Sequence, residues 1–199
     1  MEINKVVLGQ LQTNCYIIEN NGECIIIDPA CSFDYLESWL SARELIPKAI
    51  LVTHGHFDHC SACKKFQEKG IKIYMSEIDN LIIQNSPRLF GIRQENSFKA
   101  DYLIKDGDKL NLIGKEIYVI STSGHTDGSL SFLIDDNLFC GDTLFAGGGY
   151  GRCDLYSGDY EKIKNSIKNK LFLLQDGTRV FCGHGEETTI KSERELIAF

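Results

Sequence analysis

Thr53-His54-Gly55-His56-Phe57-Asp58-His59 holds three of the chain's five histidines within six positions, directly behind the apolar run Ala49-Ile50-Leu51-Val52. A short run of that kind reads as a buried strand, which places the histidines in the loop at its end. In extended backbone, side chains two positions apart share a side, so His54 and His56 point together. Asp58 and His59 lie beyond the turn and reach a neighbouring position. One loop can therefore serve two metal ions.

The other two histidines also stand beside glycine at the ends of apolar runs, His125 in Ser123-Gly124-His125-Thr126 and His184 in Gly183-His184-Gly185. Asp142 follows Gly141 behind Leu138-Phe139-Cys140. A lone histidine is more often an incidental polar residue than a ligand, but this set has little reason to arise together by chance. Neutral imidazoles suit borderline divalent cations, with zinc–nitrogen bonds of ~2.0–2.1 Å. Asp142 offers an oxygen that bridges two ions, while His125 and His184 complete one shell each. The expected cofactors are two divalent metal ions, zinc first, with iron or manganese accepted by the same donors. Two ions about 3.5–4 Å apart share a hydroxide whose parent water is acidified enough to attack at neutral pH.

Composition narrows the class. With 199 residues, 43% of them hydrophobic and 25% charged, the chain is expected to form one domain over residues 1–199 with a sizeable core. A net charge of −7 repels a phosphate backbone, and no basic patch offsets it, so no nucleic-acid partner is expected. No apolar run approaches membrane-spanning length, and Met1-Glu2-Ile3-Asn4-Lys5 does not open a secretory leader. The expected location is the cytoplasm, which keeps thiols reduced, so the eight cysteines are not read as a disulfide scaffold. Cys15, Cys24, Cys140 and Cys182 sit in strand contexts as small buried hydrophobes. Cys60-Ser61-Ala62-Cys63 has the spacing of a redox or metal pair, but it opens a helix whose first turn buries thiols.

Periodicity organises the rest. Strands are expected at Lys5–Leu8, Asn14–Glu19 and Glu23–Ile27, with Asn20-Asn21-Gly22 as a hairpin turn. A helix over Phe33–Arg43 precedes the strand Ala49–Val52. After the histidine loop come a helix over Ser61–Lys69, a strand over Lys72–Met75 and a helix over Ser76–Gln84. Asn85–Asp101 lacks a period and reads as a surface loop placed to cover a pocket. Strands at Lys109–Leu112, Glu116–Ile120, Leu130–Ile134 and Leu138–Cys140 follow, then a long helix over Asp159–Leu174, a strand over Arg179–Cys182 and a helix from Thr188.

On these residues the chain resembles the metallo-β-lactamase superfamily, and more closely its glyoxalase II-like branch of small hydrolases. The matching motifs run from Thr13-Asn14-Cys15-Tyr16 and Ile27-Asp28-Pro29 through the histidine loop, Ser123-Gly124-His125-Thr126 and Gly141-Asp142-Thr143-Leu144-Phe145 to Cys182-Gly183-His184-Gly185. The resemblance implies an α/β fold, specifically an αββα sandwich. It implies a first metal on His54, His56, His125 and Asp142, and a second on Asp58, His59, Asp142 and His184. Asp28 matches an aspartate that props the metal loop, as a buried carboxylate accepting hydrogen bonds from it.

The expected reaction is hydrolysis of a small acyl thioester by the metal-bridging hydroxide, with Asp58 both ligand and orienter of the nucleophile. A thiolate of pKa near ~8.5 leaves without a strong acid, so no Ser or Cys nucleophile is required. Gly147–Arg152 reads as a flexible pocket rim, with Arg152 gripping a substrate carboxylate or pairing with Asp154, and Tyr150 beside it as a weaker substrate contact. Glyoxalase II proper carries a helical extension beyond its last metal histidine, whereas this sequence ends soon after His184, so a small substrate is expected. Two other readings stay open: a persulfide dioxygenase with one iron at His54, His125 and Asp142, and a metal-binding regulatory module without turnover.

Overall fold

Asn21 and Gly22 reverse the chain with φ of 54° and 78°, the left-handed pair that a two-residue hairpin turn requires. In the computed structural model, which describes residues 1–199, this turn joins the second and third strands of an antiparallel start: β1 (Glu2–Leu8), β2 (Thr13–Asn20) and β3 (Glu23–Ile27). Helix α1 (Phe33–Ser41) then crosses over to β4 (Ile46–Leu51), parallel to β3. The short helices α2 (Phe57–Cys60) and α3 (Cys63–Glu68) lead to β5 (Lys72–Ser76), and α4 (Glu77–Asn85) leads toward β6 (Tyr102–Ile104). These six strands form one sheet in sequence order.

The second half builds a second sheet. It contains β7 (Lys109–Leu112), β8 (Lys115–Ser121), β9 (Leu130–Ile134) and β10 (Asn137–Gly141). Helix α5 (Tyr160–Asn169) crosses to β11 (Arg179–Cys182), parallel to β10, and β12 (Thr188–Thr189) and α6 (Ile190–Leu196) follow. The order is β12-β11-β10-β9-β8-β7.

Strand alternation sorts the apolar side chains into three layers. Along β3, Cys24 and Ile26 join a cluster under α1 and α3, while Ile25 and Ile27 face the other sheet. Along β10, Phe139 points into that inter-sheet layer and stacks on Phe181 at 4.8 Å, while Leu138 and Cys140 pack under Ile163 and Ile167 of α5. Burying both faces of each sheet takes helices on both outer sides, which makes the chain an αββα sandwich. Each fully buried Ile or Phe contributes about 1.5–3 kcal/mol.

Several boundaries differ from the sequence reading. The long helix over Asp159–Leu174 stops at Asn169 and gives way to a 3₁₀ turn over Leu171–Leu173, although Ile163, Ile167 and Leu171 keep one buried stripe. The helix over Ser61–Lys69 starts at Cys63, after the separate turn of α2. The stretch 85–101 is anchored rather than free, because Phe90, Ile92 and Phe98 are buried and two 3₁₀ turns, Pro87–Phe90 and Gln94–Asn96, shape it. Strands β6 and β12 are too short to leave a period in the sequence. All eight cysteines are free thiols, and burial pushes Cys60 and Cys63 well above their ordinary pKa, which makes them poor nucleophiles.

Candidate metal centre

The carboxyl ends of neighbouring parallel strands meet at one edge of the sandwich. Strand β4 ends in the histidine loop, and Thr53 fixes it: its N–H and Oγ1 donate to Asp28 at 2.8 and 2.6 Å. Asp28 also accepts from His59 Nδ1 at 2.8 Å. His125 arrives on the loop after β8, Asp142 on the loop after β10 and His184 on the loop after β11.

The ligating atoms of His54, His56 and His125 lie within 4.8 Å of one another, and those of Asp58, His59 and His184 form a second group of the same tightness. Asp142 stands between the groups. Its Oδ2 lies 3.5 Å from His125 Nε2 and 3.4 Å from His184 Nε2, and its Oδ1 lies 3.3 Å from His59 Nε2. Asp28, His54 and His59 also meet within 4.8 Å, but the oxygens of Asp28 are taken up by Thr53 and His59, so this carboxylate is a prop.

The donor set fits divalent metals. His54 Nε2, His56 Nε2, His59 Nε2 and Asp142 Oδ1 are buried with no hydrogen-bond partner, an arrangement that costs several kcal/mol in total unless a ligand satisfies it. The opposite ring nitrogens are held: His59 Nδ1 by Asp28, His125 Nδ1 by the Arg152 carbonyl at 2.8 Å, and His184 Nδ1 by the Leu11 carbonyl at 3.0 Å. Each such bond turns Nε2 toward the cluster, where His125 Nε2 also lies 2.9 Å from His56 Nδ1.

Electrostatics divide the two groups. Burial, reinforced by neighbouring imidazoles, pushes His54 well below its ordinary pKa and His56 down to about 4. Burial also lowers His125, against the pull of Asp142. These rings are neutral at pH 7, the form that ligates. At the second group burial is outweighed. Asp142 raises His59 well above the usual range with help from Asp28, and Asp142 with Asp58 raises His184 to about 10. The same partners, His59 first, hold Asp142 well below the usual carboxylate range despite its burial. Positive charge is favoured here, so metal uptake competes with protons on His59 and His184.

Close packing protects the geometry. A Cβ on Gly183 would overlap Asp142 Oδ1, and one on Gly151 would overlap the Asp142 carbonyl. Asn14 Nδ2 donates to the carbonyls of Cys182 and Gly185, both at 2.9 Å, and Tyr16 Oη donates to Cys182 at 2.6 Å, so the His184 turn is clamped from β2.

Asp79 is the residue that sequence reasoning missed. Ser76 Oγ caps α4 by accepting from the Asp79 N–H at 3.3 Å, and the Asp79 side chain turns inward. It accepts from Gly55 N at 2.8 Å, Thr126 Oγ1 at 2.8 Å and Gly128 N at 3.1 Å, which ties the histidine loop to the His125 loop. Burial raises its pKa to about 6. In the sequence it is an ordinary acid in a helix's first turn. Only the placement of β5 beside β4 makes it informative.

Of the two residues expected at the pocket rim, Tyr150 lies elsewhere and Arg152 takes the second of its two expected roles. Tyr150 packs at 6.1 Å from Tyr160 and 5.9 Å from Phe199 and does not line the metal cavity, because the glycines before it turn the chain toward the C-terminal residues. Arg152 reaches the rim, but its guanidinium is engaged by Asp154 through two contacts of 2.8 Å, both residues largely exposed. The cavity has a volume of about 650 Å³. His56, Asp58, His125, Asp142 and His184 form its floor, and Leu11, Phe57, Leu89, Phe90, Phe145 and Leu155 its apolar wall.

A family model described as the metallo-beta-lactamase superfamily matches residues 8–184, which span every ligand candidate. The chain belongs to the metallo-beta-lactamase superfamily. It is 33% identical to the probable metallo-hydrolase YqgX of Bacillus subtilis, across 100% of this chain and 97% of that protein. It is also 33% identical to the hydroxyacylglutathione hydrolase GloC of Haemophilus influenzae, across 100% and 98%. Among solved structures, the BLEG-1 B3 metallo-beta-lactamase superposes with a TM-score of 0.90 at 33% identity, covering 98% of this chain and 97% of that one. TTHA1623, solved in a di-iron-bound form, gives 0.86 at 31% identity, covering 98% and 99%. ETHE1 from Myxococcus xanthus gives 0.84 at 25% identity, covering 98% and 83%. The chain is thus a superfamily hydrolase with a His/Asp cluster suited to divalent metals, and no helix is long and apolar enough to cross a membrane.

Proposed function

We propose that the protein is a two-metal hydrolase of small acyl thioesters. The observation that carries this reading is Asp142, one carboxylate within 3.5 Å of nitrogens from both histidine groups. His54, His56, His125 and Asp142 would hold one ion, and Asp58, His59, His184 and Asp142 the other. When bound, the ions supply Lewis acidity and an acidified water at neutral pH. The whole-length similarity to a hydroxyacylglutathione hydrolase supports a thioester substrate. Zinc is the proposed first occupant, with iron supported by the di-iron relative.

The chain's own groups fit that chemistry. Asp58 faces the cavity, and its Oδ2 accepts from Thr13 Oγ1 at 3.0 Å. Burial works against its charge, yet His184 and His59 hold its pKa below the ordinary value, so it is ionised at neutral pH and can orient a water by accepting a hydrogen bond from it. The apolar walls limit bulk water around the acyl carbon. A thiolate leaving group, with a pKa near ~8.5, departs without a protonated side chain.

A one-iron persulfide dioxygenase built on His54, His125 and Asp142 is the second reading, favoured by the likeness to ETHE1. Asp58, His59 and His184 would then be surplus. A panel of acyl thioesters, run beside glutathione persulfide with an oxygen electrode, separates the two. Thioester cleavage by zinc- or iron-loaded protein is expected. Oxygen uptake with iron and no cleavage would replace the hydrolase reading with the dioxygenase.

A further inference from the structure

Four of the chain's six arginines have partners. Arg152, Arg179 and Arg194 pair with Asp154, Glu187 and Asp176, and Arg43 lies over the Trp39 ring at 3.7 Å. Arg88 and Arg93 make no ion pair and no side-chain hydrogen bond, and both are exposed. They line the same open cavity of about 430 Å³, together with Gly91 and Glu95. Gly91 also lines the metal cavity, so the two spaces share a wall.

The ridge carrying these arginines is fixed. Phe90 and Ile92 on either side of Gly91 are buried, and Gly91 takes the left-handed φ of 75° while donating its N–H to the Arg88 carbonyl at 3.1 Å. A Cβ at Gly91 would press on the Phe57 ring at 2.7 Å, so the ridge sits tight against the histidine loop. On a surface with net charge −7, most cations find an acid, and the ion pairs of the other exposed arginines illustrate it. Two uncompensated guanidinium forks beside the active-site mouth are placed to meet an anion that the protein does not itself supply.

We propose that Arg88 and Arg93 form an anion subsite for the thiol carrier of the substrate, holding its carboxylate or phosphate groups while the thioester enters past Phe57 and Leu89. The substrate context rests on the thioester reading, but the anion site does not.

The test is calorimetric titration of the metal-loaded protein with S-methylglutathione, S-methyl-coenzyme A and neutral S-methyl-N-acetylcysteamine, whose capped sulfurs remove thiolate coordination to metal. At least one anionic carrier is expected to bind about tenfold tighter than the neutral one. Preference for the first indicates carboxylates, and for the second phosphates. The Arg88→Gln/Arg93→Gln double variant is expected to abolish the preference with metal content and Tm unchanged. Glu95→Gln is expected to strengthen it, since it removes the one acid lining that cavity. Raising salt should weaken it, as for any exposed charge pair. No preference in the wild type, or a preference that survives in the double variant, overturns the proposal. Carriers that bind at these arginines but whose thioesters are not cleaved would leave the subsite standing and count against the hydrolase reading alone.

Discussion

Asp28 Oδ2 accepts the Nδ1 proton of His59 at 2.8 Å, both side chains buried, which leaves His59 Nε2 aimed at Asp58 and Asp142. An asparagine at position 28 presents only one acceptor to three donors: the Thr53 N–H, the Thr53 hydroxyl and the His59 ring. Asp28→Asn is therefore expected to loosen metal at the second group by ~10–100-fold while the first group keeps its ion. Metal competition against a graded chelator reads both affinities. Equal weakening of the two ions would mean that Asp28 supports the loop as a whole rather than His59.

Asp142 is the one carboxylate within 3.5 Å of Nε2 atoms from both groups. Asp142→Ala is expected to lose both ions, and His184→Ala only one, by elemental analysis of protein loaded with excess metal and desalted. Gly183→Ala should imitate Asp142→Ala without replacing a ligand candidate, because its new methyl would overlap Asp142 Oδ1 and lie 2.8 Å from His59 Cε1. Gly177→Ala, with open space around it, is the control and should keep two ions. Two ions retained in Asp142→Ala would end the bridging assignment.

Asp79 gives a pH signature. Its carboxyl is raised from 3.8 to about 6 by burial, so the folded state holds this proton more tightly than the unfolded chain. For a raised carboxylate the sign is inverted from the usual acid case. No penalty applies below pH ~4, a penalty grows between ~4 and ~6, and it is complete by pH 7, amounting to about 3 kcal/mol. The stability difference between the wild type and Asp79→Asn should therefore shift in favour of the wild type on going from pH 7 to pH 4.5, measured by urea unfolding at matched metal content. Comparing the two proteins cancels the opposite trend from Asp142 and Asp58, whose lowered values make stability fall on acidification. A pH-independent difference would place the Asp79 pKa near its unfolded value.

The fold and the clustering of the histidine and aspartate side chains were legible in the sequence for one physical reason. Ligands at strand ends must follow apolar runs, and glycines must stand where backbone passes close to a carboxylate, as Gly183 and Gly151 do. Both requirements leave local patterns, although the close neighbour of Gly151 is the Asp142 backbone carbonyl and not its carboxylate. Asp79 left none, because its partners Gly55, Thr126 and Gly128 come from two distant loops that only the sheet order brings together. Tyr150 was misplaced because a run of glycines says that the chain turns without saying which way. The partnerless state of Arg88 and Arg93 is likewise a property of the assembled surface.

Arg152 and Gly151 separate a side-chain role from a backbone role at adjacent positions. The Arg152 guanidinium is exposed and held by Asp154, whose carboxyl its hydrogen bonds lower to about 2, while the Arg152 carbonyl orients His125 at 2.8 Å. Arg152→Ala keeps that carbonyl, so metal content and Tm are expected to stay at wild-type values, since exposed pairs contribute little. Any substrate carboxylate must displace Asp154 to reach this arginine, so KM should rise by less than the ~10-fold expected for a free charge-assisted contact, with kcat unchanged. Gly151→Ala acts through the backbone. Its methyl would overlap the Asp142 carbonyl and sit 2.9 Å from His125 Nδ1, displacing two ligand candidates at once. The expected outcome is metal loss and a kcat reduced in step with occupancy. If Arg152→Ala instead raises KM by more than ~10-fold at full metal content, the guanidinium leaves Asp154 for the substrate, and the cavity holds its anion at Arg152 rather than on the ridge of Arg88 and Arg93.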